Sequence, residues 1–254
     1  MSDVSIVLLA CNEAECLEQV FEEVVSAFAG TALEIVVVDD GSTDATGRLA
    51  ADMAARHPGT VTIATHERNF GMGQAIRTGL LAAGGRWVGI LPADGQFAPA
   101  DMRRMYDSRE GADAVVGRVT SVERLHSDNL FRVLLSWGLR SFIRLFHPNM
   151  PRFNGVMLVD RIRVKADVLV CGSFMAHFEI LDRGRRLRPP LAVNALAITV
   201  RPRLAGHSKV ANPRTILTVA KDVVRLRLSY LIPPLNTAWA RPLNQRSAQA
   251  MGRG

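Results

Sequence analysis

The chain has 254 residues, 48% hydrophobic and 22% charged, which is enough for one large packed α/β domain and excludes a disordered or fibrous chain. Its formal charge is +7, unevenly placed: from Pro213 to Gly254 there are seven Lys/Arg and one acid, Asp222. Cys11, Cys16 and Cys171 make neither a disulfide framework nor a zinc spacing, no apolar run is long enough to span a membrane, and no signal-peptide pattern opens the chain, so a cytoplasmic protein is expected.

Val4 to Ala10 reads as an apolar strand that runs into Cys11-Asn12-Glu13. Leu17, Val20, Phe21, Val24, Val25 and Phe28 then recur at the spacing of one helix face, which Gly30 ends. Ile35 to Val38 is a continuous β-branched run, the pattern of a strand buried on both faces. It stops at Asp39-Asp40-Gly41-Ser42, at the strand end where open α/β sheets bind ligands. These residues are either acceptors for the base and ribose of a nucleotide or a turn with a solvated capping acid. A helix from about Thr43 to Arg56 and a strand from Val61 to Thr65 complete a β-α-β-α-β series, which implies a parallel sheet with right-handed crossovers.

Residues 66–73 carry two glycines, but Ile76 occupies the third glycine position of a dinucleotide fingerprint. The glycines either let backbone approach a ligand, with the following helix start offered to phosphate, or make an ordinary loop. Arg86 to Leu91 is a strand ending in Pro92-Ala93-Asp94-Gly95-Gln96. In an extended loop Asp94 and Gln96 point the same way, and their oxygens suit Mg²⁺ or Mn²⁺, cations that keep waters or substrate phosphates as further ligands. Plain turn chemistry is the alternative.

A helix follows from Pro99 to about Ser108, then a strand from Asp113 to Gly117 that ends at Arg118. In the apolar-basic segment from Leu125 to Phe146, Arg132 and Ser136 share a helix face and, with Arg118, form a candidate phosphate site; Arg140 and Arg144 read as its solvated continuation. Gly155–Val159 and Leu191–Val200 read as strands and Phe174–Asp182 as a helix. Arg201 to Lys209 is a basic glycine loop, either a phosphate lid or a connector. The helix from about Thr215 to Leu231 puts Ile216, Ala220, Val223, Val224, Leu228 and Leu231 near one stripe, with Lys221, Arg225 and Arg227 off it. Such a helix lies on anionic lipid, covers the domain or forms a dimer seam. A 1–210 domain and a 211–254 basic helix with a flexible tail are expected. A basic excess confined to one tail, with little aromatic interleaving, argues against nucleic acid.

Together these pieces resemble the family 2 glycosyltransferases of the GT-A fold over roughly residues 3 to 210. The resemblance is carried by Val4-Ser5-Ile6-Val7 with Asn12-Glu13, by Val38-Asp39-Asp40-Gly41-Ser42-Thr43-Asp44, by Asn69-Phe70-Gly71-Met72-Gly73-Gln74-Ala75 and by Ala93-Asp94-Gly95-Gln96. Within the family, Arg118, Arg132, Ser136 and the Arg203–Lys209 loop are similar to the dolichol/polyprenyl-phosphate mannosyltransferase branch. The resemblance implies a Rossmann-like, mostly parallel sheet flanked by helices. It implies an inverting enzyme that moves a sugar from a nucleotide-diphosphate sugar to a polyprenyl phosphate; the basic amphipathic last helix adds the expectation of peripheral contact at the cytoplasmic membrane face. Donor contacts would come from Ala10, Asn12, Glu13, Asp39, Asp40, Gly41, Ser42, Asn69, Gly71, Gly73, Ala75, Ala93, Asp94, Arg203 and Lys209. Arg118, Arg132, Ser136 and Ser208 would hold the acceptor phosphate, and Asp94 with Gln96 would hold Mg²⁺ or Mn²⁺. Asp94, Arg118 and Arg132 would be catalytic. Pro92 replaces the first acid of the family's metal motif, Leu9 a proline and Cys11 an aromatic residue, and residues 151–155 lack an acid common there. The alternatives are a soluble family 2 enzyme acting on a hydroxyl or amine, and a non-catalytic nucleotide-sugar-binding protein.

Overall fold

A computed structural model describes residues 2–122, 141–147, 156–202 and 213–231. The described strands are β1 (Val4–Ala10), β2 (Leu33–Asp39), β3 (Val61–Thr65), β4 (Trp87–Pro92), β5 (Ala114–Val122), β6 (Met157–Asp160) and β7 (Val193–Val200). The longer helices are α1 (Leu17–Ala27), α2 (Thr46–Arg56), α3 (Met72–Ala82), α4 (Pro99–Asp107), α5 (Met175–Gly184) and α6 (Pro213–Ser229). Short helical turns span Arg161–Arg163 and Ala166–Val168.

The strands form one sheet in the order β3-β2-β1-β4-β6-β5-β7. β1 pairs parallel with β2 and β4, β2 with β3, and β5 with β7, while β6 runs antiparallel to both neighbours, β4 and β5. Alternation along β2 explains the continuous apolar run. Ile35 and Val37 enter a core shared with α1, α2 and α4, whereas Val36 and Val38 enter the opposite core, shared with α3, α5 and α6. From β1 the chain steps outward through β2 to β3, then α3 carries it back across the sheet to β4. The strand order therefore reverses between β1 and β4. The carboxyl ends of those two strands flank the crevice where such sheets bind ligands.

Because β6 is reversed, it begins at the edge where β4 and β5 end. Residues 123–155 thus leave and rejoin the sheet at that same edge.

The structure splits the stripe expected on the last helix. Val219, Val223 and Leu226 are buried and join the core beside α5, and Asp222 is buried with them. Leu217, Val224, Leu228 and Leu231 stay exposed beside Lys221 and Arg225. The 3.6-residue period puts 219, 222, 223 and 226 on one face, so an apolar count that passes over Asp222 misplaces the buried side. No helix among the described residues is long and apolar enough to cross a membrane.

Candidate active site

Asp39, Ala10 and Pro92 end three adjacent strands: Ala10 pairs with Asp39, Leu9 pairs with Pro92, and Ala93, just beyond β4, donates its N–H to Leu9 O at 2.9 Å. Two strand spacings separate β2 from β4, so Asp39 and Asp94 stand about 10 Å apart across the end of β1. At that distance they cannot share one cation. They can meet the two ends of one elongated ligand.

The loops beyond these strands are tied to one another. Asn12, at φ +56°, accepts Thr43 N–H at 2.8 Å through Oδ1, and Ser42 Oγ accepts Asn12 N–H at 2.9 Å. Thr46 Oγ1 accepts Glu13 N–H at 2.9 Å, and Asp44 accepts from Ala14 N–H and from Thr46. Partial burial alone would raise the Asp44 pKa, but the Thr46 and Ala14 hydrogen bonds carry it below the usual carboxylate value. Asn69 Nδ2 reaches Cys11 Sγ at 3.0 Å. Gly41 has φ +65°, and a Cβ there would sit 2.1 Å from the Arg68 carbonyl carbon, so only glycine lets the 68–69 backbone cross at this point.

The two neighbouring acids do different work. Asp39 is buried and takes Ser42 N–H on Oδ1 at 3.0 Å, which forms the turn. Asp40 is buried too, and both of its oxygens are bound by protein donors. Oδ1 accepts Phe70 N–H at 2.8 Å and meets His66 Nδ1 at 2.7 Å, while Oδ2 accepts Gly71 N–H at 2.8 Å. With Asp40 ionised, His66 donates from Nδ1 and accepts the Thr78 hydroxyl at Nε2, 2.9 Å away. Asp40 therefore holds the 68–71 loop. Nothing in the Asp-Asp pair separates these roles; a histidine one residue beyond the end of β3 was the available signal for the network.

The glycine segment also departs from expectation. Gly73 N–H donates to Gly172 O at 2.9 Å, and Gly71 N–H is taken by Asp40. A Cβ on Gly73 would lie 2.1 Å from Cys171 O, and one on Gly71 2.7 Å from Gly172 O. The close approach that these glycines permit is that of the 171–172 backbone. The start of α3 is thus sealed by protein acceptors instead of offering both N–H groups to phosphate. Ala75 is packed in the core, and Ala10 and Ala93 are buried at their strand ends, so all three shape the site through backbone and volume.

Asp94 is buried, and its Oδ1 accepts Gln96 N–H at 3.1 Å, which fixes the 94–96 turn. Among the described residues no three His, Cys, Asp or Glu side chains gather as a metal cluster. One carboxylate and one amide oxygen fit a hard divalent cation that takes its remaining ligands from diphosphate and water. Gln96 O in turn accepts Arg201 N–H at 2.9 Å, and Phe97 bridges Val200, so the end of β7 abuts this turn. Arg203, Ser208 and Lys209 lie outside the described residues, as do Arg132 and Ser136. Arg118 is exposed on β5; the pairings of Ile90 with Met157 and of Met157 with Val116 bring it level with Pro92, two strands and about 10 Å away.

Residues 5–185 match the family described as Glycosyl transferase family 2. The chain belongs to glycosyltransferase family 2. It is 27% identical over 229 residues to a dolichol-phosphate mannosyltransferase of Pyrococcus furiosus, covering 88% of this chain and 63% of that protein. It is 35% identical over 214 residues to an uncharacterized glycosyltransferase of Mycobacterium bovis, covering 82% and 89%. Among solved structures it resembles glucosyl-3-phosphoglycerate synthase from Mycobacterium tuberculosis in complex with Mn²⁺, UDP and glucosyl-3-phosphoglycerate. That TM-score is 0.62 at 19% identity, covering 92% of this chain and 82% of the other. The fold is the GT-A fold of this family.

Proposed function

We propose that the chain is an inverting glycosyltransferase that moves a sugar from a nucleotide-diphosphate sugar to a polyprenyl phosphate. The observation that carries the reading is the placement of Asp39 and Asp94 on either side of the β1 end, at the point where the strand order reverses. Asp39 receives the base and ribose end of the donor, walled by Cys11, Asn12 and residues 68–71. Asp94 and Gln96 face the diphosphate end and would hold Mg²⁺ or Mn²⁺. That cation, when bound, supplies Lewis-acid neutralisation of the leaving diphosphate. Arg203 and Lys209, which lie outside the described residues, would bind the same charge, as the family resemblance implies.

Arg118 supports the acceptor half of the reading. It is an exposed cation at the edge where β1, β2 and β4 end, level with Pro92, and Arg132 and Ser136 follow it in sequence outside the described residues. A hydroxyl acceptor needs a positioned base worth about 10²–10⁴ in rate, whereas a phosphate is already an anionic nucleophile. The names of the relatives agree with a phosphate lipid in one case, and the structural neighbour has a soluble phosphate-bearing product. The exposed Leu217, Val224, Leu228 and Leu231 beside Lys221 and Arg225 suit peripheral contact with an anionic membrane surface, at the cytoplasmic face.

The test is transfer from a panel of UDP- and GDP-sugars, with Mn²⁺, to polyprenyl phosphate and to soluble acceptors. Lipid-phase product that falls at least tenfold in Arg118→Ala, with nucleotide binding intact, is expected. Equal acceptor kinetics in Arg118→Ala and Arg132→Ala would remove the phosphate reading.

A further inference from the structure

Asp222, the single acid after Pro213, is buried on α6. Its Oδ2 accepts Gly172 N–H at 3.0 Å, Ser173 N–H at 2.7 Å and Ser173 Oγ–H at 2.6 Å. Glu179 on α5, fully buried, accepts Val170 N–H at 2.9 Å and Cys171 N–H at 2.8 Å, and is itself matched by Arg183 Nε at 2.7 Å. Two carboxylates from two helices thus hold the successive N–H groups of residues 170–173. With its N–H groups fixed, the segment turns the Gly172 carbonyl onto Gly73 N–H and presses the 171–172 backbone against Gly71 and Gly73. Asp40 fixes the other side of the same turn through Phe70 and Gly71. The 68–71 wall of the nucleotide pocket is therefore clamped between β2 and a segment that α6 holds. The family match ends at residue 185, so α6 lies beyond it.

We propose that Asp222 is a positioning residue for the donor site: by seating residues 170–173 against the 71–73 turn, the C-terminal helix sets nucleotide affinity. The inference rests on the reading that Asp39 and the 68–71 wall bind the donor. Removing the carboxylate leaves three donors, two of them buried, without their acceptor, and the segment satisfies them by lifting towards water. Gly172 O then leaves Gly73, and the wall loses its backing. The chemistry at Asp94 is untouched, so the change falls on donor KM and nucleotide Kd while kcat and acceptor KM hold.

The experiment uses the full chain, with UDP and GDP, each with Mn²⁺, as calorimetric probes, and amide hydrogen exchange without ligand. In Asp222→Ala, exchange at Phe70, Gly71 and Gly73 is expected to rise while β1 amides stay protected, and nucleotide Kd to rise about tenfold, the scale of a typical coupling between sites. Asp222→Asn, which keeps an acceptor oxygen for Ser173, recovers most of that affinity. A purely structural role would lower the binding stoichiometry and leave the Kd of the folded fraction unchanged. Should Asp222→Ala fail to fold, Ser173→Ala keeps the Asp222 carboxylate and removes only the hydroxyl's bonds, to Asp222 and from Met175 N–H, and is expected to raise Kd by a smaller factor. If Asp39→Ala abolishes nucleotide binding while Asp222→Ala and Ser173→Ala keep the wild-type Kd, the inference is overturned and the donor reading stands. If Asp39→Ala binds nucleotide normally, the donor reading itself fails.

Discussion

Asp39 and Asp40 are adjacent acids, and replacing each with alanine should produce opposite phenotypes. In Asp40→Ala three donors lose their acceptor: Phe70 N–H, Gly71 N–H and His66 Nδ1–H. A hydrogen bond to a charged group is worth about 1.5–3 kcal/mol, and breaking a buried polar network from one side about 3–5 kcal/mol. Water admitted to the vacated space offsets part of this, so a loss of about 3–4 kcal/mol is expected. For a domain of this size that lowers Tm by roughly 6–16 °C. Asp39→Ala removes one turn-forming bond, from Ser42 N–H, and should cost about 1 kcal/mol while nucleotide binding collapses. Urea unfolding followed by circular dichroism gives the stabilities, and calorimetry with UDP or GDP gives the affinities. A cycle with Thr78→Val tests whether the Asp40-His66-Thr78 chain acts as a unit, since a network gives a coupling energy of about 0.5 kcal/mol or more. A loss below about 1 kcal/mol in Asp40→Ala would refute the clamp assignment.

Other outcomes follow from the same geometry. Burial lowers the His177 pKa from 6.5 to about 4, so between those values the unfolded chain binds the extra proton. Stability is therefore complete above pH 6.5 and falls by about 1.4 kcal/mol per pH unit towards pH 4; urea unfolding across that range should show this slope flattened in His177→Gln. Asp94→Ala should abolish the Mn²⁺ dependence of nucleotide binding and cut transfer by at least about 10² while the fold persists; metal-dependent binding that survives would exclude Asp94 as the ligand. Gly73→Ala should cost about 1–3 kcal/mol through overpacking against Cys171 O, read as a Tm shift, and an unshifted Tm would mean that residues 171–172 are not seated there.

The middle of the sheet was legible because β1, β2, β4 and β6 are buried on both faces, and that burial writes continuous apolar runs such as Ile35–Val38. The position of the candidate site was read from the same fact, since the β1, β2 and β4 runs stop at polar clusters. The division of labour inside those clusters was not legible. Asp39 is the last residue of β2 and Asp40 the first beyond it, and Asp40 accepts from N–H groups 30 and 31 residues away. Gly71 and Gly73 announced a close backbone approach, but sequence cannot say whose. The reversed direction of β6 left no mark on Gly155–Val159, because an interior antiparallel strand carries the same apolar run as a parallel one. Asp222 stood out as a lone acid in a basic stretch, yet its partners Gly172 and Ser173 lie 50 and 49 residues upstream.

Since the backward-running β6 re-enters the sheet at the rim where β5 ends, the chain between Val122 and Met157 interrupts no pairing among β1, β2 and β3. Arg132 and Ser136 fall within that stretch of sequence, while Asp39 and Asp94 do not. The proposed acceptor residues are thus separable along the chain from the proposed donor residues, and either set can be altered without editing the other.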